Sequence, residues 1–350
     1  MFVRHTTIRR GTVRSASIGI AALAFALAAC SSGQGSTSTV DTVTPPPVSG
    51  GFVAPRTVPE GMGSGQSDGE FPRTVVHFAG ETVIGAQPER VVVISTGQAD
   101  ALLSLGVVPA ASTRGDGADL IPRYLIDAYP QYATELAAVV DAGGRFEPNF
   151  EAIANLQPDL ILMNTAGKDA DAMYSRLSAI APTVATQGTG MYWKQDFLLA
   201  ADALGRFDQA SAMLDEFNSD ATELGETLES VPTVSFTRMN GDRMRVFGVP
   251  SFTGSIAQDA GLARPESQEF DETSRDISAE ELTLADADRI FYGVQDGDAS
   301  ALTGAPLWSG LQAVQAGRAV QVDDDVFYLN TGPTAARQVL DVLEDTLQQG

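Results

Sequence analysis

One helix–aspartate–strand unit is written twice in this chain, and it constrains the fold more than any other feature. "NFEAIANLQPDLILM" (Asn149–Met163) and "SAEELTLADADRIFY" (Ser278–Tyr292) align without a gap, 129 residues apart. The alignment sets Glu151 on Glu280, Ile153 on Leu282 and Asp159 on Asp288. Each copy reads as a short helix, an aspartate and then a continuous apolar run, the pattern of a strand buried on both faces. Such strands belong to parallel sheets, which need crossover helices. From Arg73 onward the chain is long enough for two lobes with cores of their own.

The flanking sequence agrees. "TVVHFAGETVIG" (Thr74–Gly85) alternates as an opening hairpin. "RVVVIS" (Arg90–Ser95), "VVPAAST" (Val107–Thr113) and "AAVVDAG" (Ala137–Gly143) read as further strands, with helices between them. The rhythm breaks at Trp193–Ser230, which has no proline and keeps a helical apolar stripe through Phe197, Leu204, Leu214, Phe217 and Leu224. It predicts one helix of about 35 residues, roughly 50 Å long, with Gly205 and Gly225 as weak points. Beyond Pro232 two alternating runs flank Asn240-Gly241, a hairpin signal. With those two residues as the turn, Arg238 is expected opposite Arg243, and Phe236 opposite Arg245. The expected organisation is a processed leader over 1–29, a flexible Gly/Ser/Thr/Pro tether over 30–72, a first lobe over 73–192, a connecting helix over 193–230 and a second lobe over 231–350.

The leader carries Arg4, Arg9, Arg10 and Arg14 ahead of Ile18–Ala29, an apolar run of 12 residues that is too short for a permanent membrane span. It ends in "LAAC", which resembles the lipobox of bacterial lipoproteins; the resemblance implies lipid on Cys30, the only cysteine, and cleavage before it. The chain has 22 basic and 45 acidic residues, a net charge of −23. Cleavage would leave 18 basic residues against the same 45 acids, a net −27. Nucleic acid is excluded as a partner, because phosphate contacts need a basic face. An anionic ligand would need a local cluster of cations. With only Lys168 and Lys194 as lysines, that duty is expected of arginine.

"PERVVVIS", "NFEAIANLQPDLIL", the helix from Trp193, "ISAEELTLADADRIFY" and "PLWSGLQAVQAGRAVQVDDDVFY", in this order behind a lipobox, resemble the periplasmic-binding-protein type 2 group. These are substrate-binding lipoproteins of ABC importers for ferric siderophores, haem and cobalamin. The resemblance implies an α/β class III architecture: two Rossmann-like lobes joined by a single long rigid helix, with ligand in the cleft between them. It implies an extracytoplasmic, lipid-anchored monomer that captures a ferric siderophore and delivers it to a permease dimer. It also implies an acidic contact on each lobe for that dimer, placed here at Glu151 and Glu280, with Glu147 and Glu281 as near alternatives. Two other readings stay open: a haem-binding protein of the same class, with Tyr192 or Tyr328 on the iron, and an envelope interaction protein that kept the fold without cargo.

Ligands of open α/β sheets bind beyond the carboxyl ends of the strands. The loops to search follow Ser95, Thr113, Gly143, Met163, Thr186, Met239, Tyr292 and Asp325. Arg114, Arg145, Arg238 and Arg245 are the expected anion contacts, and Tyr192, Trp193 and Tyr328 the expected aromatic ones. No catalytic residue, cofactor or protein-held metal is expected. His77 is the one histidine beyond the leader, too few for a bare transition-metal site or for a triad near any serine elbow.

Overall fold

The structure is a computed structural model that describes residues 52–115 and 119–348. Leader, cleavage site and Cys30 lie outside the described residues. Among the described residues no helix is long and apolar enough to cross a membrane.

A hairpin of β1 (Arg73–His77) and β2 (Gly80–Ile84) opens the fold. The first lobe holds a six-stranded sheet of β3 (Val91–Val93), β4 (Ala111–Arg114), β5 (Val140–Gly144), β6 (Glu147–Pro148), β7 (Leu160–Asn164) and β8 (Thr183–Thr186), in the order β6-β5-β4-β3-β7-β8. All neighbours are parallel except β5 and β6. Helices α1 (Gln98–Ser104), α2 (Arg123–Ala128), α3 (Ala133–Ala137), α4 (Phe150–Asn155) and α5 (Ala170–Ser178) complete the lobe. The apolar run at Val91–Ile94 serves both faces of the sheet. Val91 and Val93 join one cluster with Leu102 and Leu199, while Val92 and Ile94 join another with Ile153 and Leu177.

The second lobe is a mixed sheet of β9 (Val234–Asn240), β10 (Arg243–Phe247), β11 (Ser274–Ile277), β12 (Arg289–Val294) and β13 (Ala319–Gln321), ordered β11-β10-β9-β12-β13. Here β9, β12 and β13 are parallel, and β10 and β11 are antiparallel additions. Helices α8 (Phe252–Asp259), α9 (Ser300–Thr303), α10 (Gln312–Gln315) and α11 (Pro333–Gln348) surround it. The hairpin turn lies one residue beyond expectation: Asn240 pairs with Arg243 and Arg238 with Arg245, so Gly241-Asp242 forms the turn. Each cross-strand partner moves by two residues, so every side chain keeps its face. The observed register puts Met244 beside Met239 and Val246 beside Thr237, burying both β10 side chains in a cluster with Leu282 and Ile290.

The expected 35-residue helix is two helices, α6 (Trp193–Ala203) and α7 (Phe207–Thr227). The break at Gly205 and the ordering of the segment expected to be a tether have one cause. From Phe52 onward the chain is packed on the body, so the tether boundary at 72 does not hold for 52–72. Gly69 N–H donates to the Gly205 carbonyl at 2.9 Å, and the Asp68 carboxylate accepts from the amides of Asp208 and Gln209 at 3.1 and 3.2 Å, capping α7 from a remote position. Gly205 sits at φ 67°, and a Cβ there would lie 2.9 Å from the Phe71 ring. That combination of left-handed backbone and crowding suits only glycine. The same strap places Arg73 and Ser64 on the buried Asp202, and Arg56 on Asp259 at 2.7 Å.

The lobes share one apolar cluster, containing Val93 and Leu162 of the first sheet, Phe236 and Phe291 of the second, and Leu199, Leu214, Ile256 and Leu340 from the helices between. Helix α11, assigned by sequence to the second lobe, also packs on α1 and α2 of the first. Its amino end is capped from α1, where the fully buried Asp100 accepts from the amides of Thr334 and Ala335, both at 2.9 Å, and from the Tyr124 hydroxyl at 2.9 Å. Burial pushes the Asp100 carboxyl up against these donors.

The repeated unit performs the same task in both lobes. Asp159, one residue before β7, accepts from the amides of Glu89 and Arg90 at 2.9 and 2.8 Å, just ahead of β3. Asp288, one residue before β12, accepts from the amide and hydroxyl of Thr233, both at 2.8 Å, just ahead of β9. Leu160 then pairs with Val91, and Arg289 with Val234. Each aspartate thus pins the start of the parallel neighbour strand and sets its register.

Candidate functional site

In the first sheet the order reverses at β3, which lies between β4 and β7. A crevice at such a switch point, outside the carboxyl ends, is the usual ligand site of open α/β sheets. A cavity of about 700 Å³ lies there. Its walls come from Ser95–Gln98 after β3, Asn164–Ala170 after β7, Thr186 and Gly188–Gly190 after β8, and the inner face of α6. Leu329 and Thr331, from the second-lobe segment that leads into α11, close it. Volume and lining suit a small-molecule site: mostly apolar walls with a few placed polar groups.

The loops are held by their own hydrogen bonds. Asn164 N–H donates to Ser95 Oγ at 3.1 Å, and Asn164 Oδ1 accepts from Ala166 N–H at 3.2 Å. Asp196, in the first turn of α6, accepts from the amides of Gln187 and Gly188 at 2.9 and 2.7 Å. Burial pushes its carboxyl up to about 6, against the pull of those donors. The mouth carries Phe146, which is 61% exposed, with the Arg145 guanidinium 4.5 Å from its ring centroid. Lys168 and Asp169 stand exposed on the wall beside them.

Of the residues singled out by sequence, the structure brings Arg145 and Trp193 to this cavity. Trp193 is a floor residue, 2% exposed; its Nε1–H donates to Ser255 Oγ at 3.2 Å, and its ring packs edge-on against Phe217 and Phe252. Tyr192 closes a short turn ahead of α6 and does not line the cavity. Arg114, at the carboxyl end of β4, is exposed and paired with Asp141 at 2.8 Å.

Arg238, Arg245 and Tyr328 gather at the second sheet instead. Arg238 and Arg245 do face each other, and acids on either side relieve the like-charge contact. Asp276 stands opposite Arg245 on β11, 3.2 Å from its guanidinium. Asp324 takes Arg238 by two bonds of 2.7 Å. The row continues to Gly293 on β12, where a Cβ would lie 2.5 Å from the Tyr328 ring and 3.0 Å from Asp324 Oδ1. The missing side chain makes room for both. Tyr328 O–H donates to the Phe291 carbonyl at 2.8 Å, and burial drives its hydroxyl pKa well up. Of the four arginines expected as anion contacts, Arg145 lines this cavity. Each of Arg114, Arg238 and Arg245 has a carboxylate partner distant in sequence, which one sequence read alone does not disclose.

Phe146, Lys168, Asp169, Met173 and Asp196 were missed as cavity residues. The signal for two of them was in hand, because the loop after Met163 was one to search and "NTAGKDAD" follows directly.

Glu151 and Glu280 occupy equivalent places, the second residue of each helical turn after the caps Asn149 and Ser278, and both are exposed. Glu281, the near alternative, is used in a capping box, where its carboxylate accepts from Ser278 N–H at 3.0 Å.

The periplasmic binding protein family profile matches residues 81–326. The probable siderophore-binding lipoprotein YfiY of Bacillus subtilis (strain 168) is 33% identical over 290 residues, covering 78% of this chain and 86% of that protein. The Fe(3+)-citrate-binding protein YfmC of the same organism is 26% identical over 289 residues, with coverages of 79% and 88%. Among solved structures, Staphylococcus aureus SirA complexed with staphyloferrin B superimposes with a TM-score of 0.67 at 24% identity, covering 79% of this chain and 98% of SirA. BauB, bound to a complex of acinetobactin and ferric iron, gives a TM-score of 0.65 at 25% identity, with coverages of 80% and 100%. The match spans both sheets and the helices between them, so the chain belongs to the periplasmic binding protein family.

Proposed function

We propose that this protein is the extracytoplasmic substrate-binding component of an ABC importer, and that its cargo is a ferric siderophore. The observation that carries the reading is the switch-point cavity of about 700 Å³ between the two lobes, in a chain 33% identical to a probable siderophore-binding lipoprotein. Iron stays inside its chelator. Arg145 and Lys168 address polar groups of the chelate, and Phe146, Met173, Trp193 and Phe197 cover its apolar skirt. The protein supplies binding and delivery, not catalysis. Lipid on Cys30 holds it at the membrane surface, and Glu151 and Glu280 meet a two-fold permease, one from each lobe. The continuous core between the lobes limits closure to small movements.

Haem is the weaker cargo. No tyrosine lines the cavity among the described residues, and the Tyr328 hydroxyl is committed to a backbone carbonyl. Tryptophan fluorescence tests the proposal: a ferric siderophore should quench Trp193 saturably, and the iron-free chelator should not. If no ferric chelate in a broad panel quenches, the reading fails.

A further inference from the structure

We propose, resting on the siderophore reading above, that the cavity selects ferric chelates without net charge, of the trihydroxamate type, over anionic catecholate or citrate complexes. Among the described residues the charged side chains lining it are Arg145 and Lys168 against Asp169 and Asp196, two cations and two carboxylates. The Asp196 carboxylate accepts from the amides of Gln187 and Gly188, donors that favour its ionised form. The wall therefore offers no surplus positive charge to an anion.

The cations that would have supplied it are already matched. Arg238 is held by Asp324 and Arg114 by Asp141, while Arg245 shares Asp276 with Arg243. The second-lobe segment that brings Leu329 into the cavity starts from three consecutive aspartates, 323–325. Around all of this the chain carries a net charge of −23. A trianion approaches against that field and then loses its hydration where no net charge replaces it. In a ferric trihydroxamate the three ligand charges cancel those of Fe(III), so neither cost arises. Its methylene skirt fits walls made by Phe146, Met173, Trp193 and Phe197.

The experiment compares three probes by Trp193 quenching on the intact chain: ferrioxamine E, which is neutral, ferric enterobactin, which is trianionic, and ferric dicitrate. Ferrioxamine E should bind at least about tenfold tighter than either anion. Its affinity should change little between about 50 and about 500 mM salt, because no charge pairing is screened. Asp169→Lys should raise affinity for ferric enterobactin about threefold or more. Tighter binding of either anion, or a ferrioxamine E affinity that falls steeply with salt, overturns the charge inference while leaving siderophore capture standing. Absence of binding by all three probes overturns both.

Discussion

The two copies of the helix–aspartate–strand unit invite direct comparison. Their aspartates do the same work, each pinning the amide ahead of the parallel neighbour strand. Their helices differ. Asn149 caps an α-helix with its own side chain on Ala152 N–H at 3.0 Å, while Ser278 opens a 3-10 stretch with a reciprocal capping box. The difference separates structural from available acids. Glu281 is spent on the box, whereas Glu151 and Glu280 occupy the matching exposed positions in both lobes. A repeat can thus be selected for strand register and still leave a pair of symmetry-related carboxylates on the surface.

The largest expected effect tests that pair. Glu151→Lys with Glu280→Lys should lower siderophore uptake by cells at least about tenfold, because charges now repel where they attracted, while ligand affinity and thermal stability stay unchanged. Normal uptake in the double variant removes these two residues from permease contact. Next come the aspartates. Asp159→Ala and Asp288→Ala should each cost about 1–2 kcal/mol in urea unfolding, and by similar amounts, since each strips two donors at a partly exposed strand start. A large inequality would break the equivalence of the copies. Smaller still, Asn149→Ala and Ser278→Ala should each cost about 1 kcal/mol.

The last prediction vanishes at neutral pH and separates the lobes by acid sensitivity. His77, in the hairpin of the first lobe, accepts from Ala79 N–H at 3.2 Å through Nδ1, so Nε2 carries the proton toward Thr82 Oγ1 at 2.9 Å. Burial lowers its pKa from 6.5 to about 4. Between these values the unfolded chain binds a proton that the folded chain refuses, so stability is lost as pH falls from about 6.5 through about 4. Asp196 and Asp325, both raised to about 6, act in the opposite sense over the same range. The His77→Gln variant isolates the histidine: its stability relative to the parent should rise as pH falls through that window. A constant difference would show that His77 is not responsible.

Much of the fold was legible because its signals are local. Val91–Val93 and Leu160–Asn164 read as buried strands from a few consecutive residues, and both are. The break in the long helix was legible only as a weak point. What turns Gly205 into a break is Asp68, Gly69 and Phe71 arriving from a segment whose composition resembles a tether. The hairpin turn falls at Gly241-Asp242, one residue beyond Asn240-Gly241; Met244 and Val246 face the same side in either register, so the apolar pattern does not choose between them.

By itself the sequence determined the alternation of strands and helices, the duplication of one unit and the acidic field. These follow from periodicity, composition and spacing, which are properties of neighbouring residues or of totals. Only the tertiary structure decided which arginines answer to which acids, and so where the cavity is and what charge it presents. Arg238 meets Asp324, 86 residues away, because two parallel strands and a glycine between them bring the side chains together. A charge in a folded chain takes its meaning from whatever the packing sets beside it, and that neighbour is written elsewhere in the sequence.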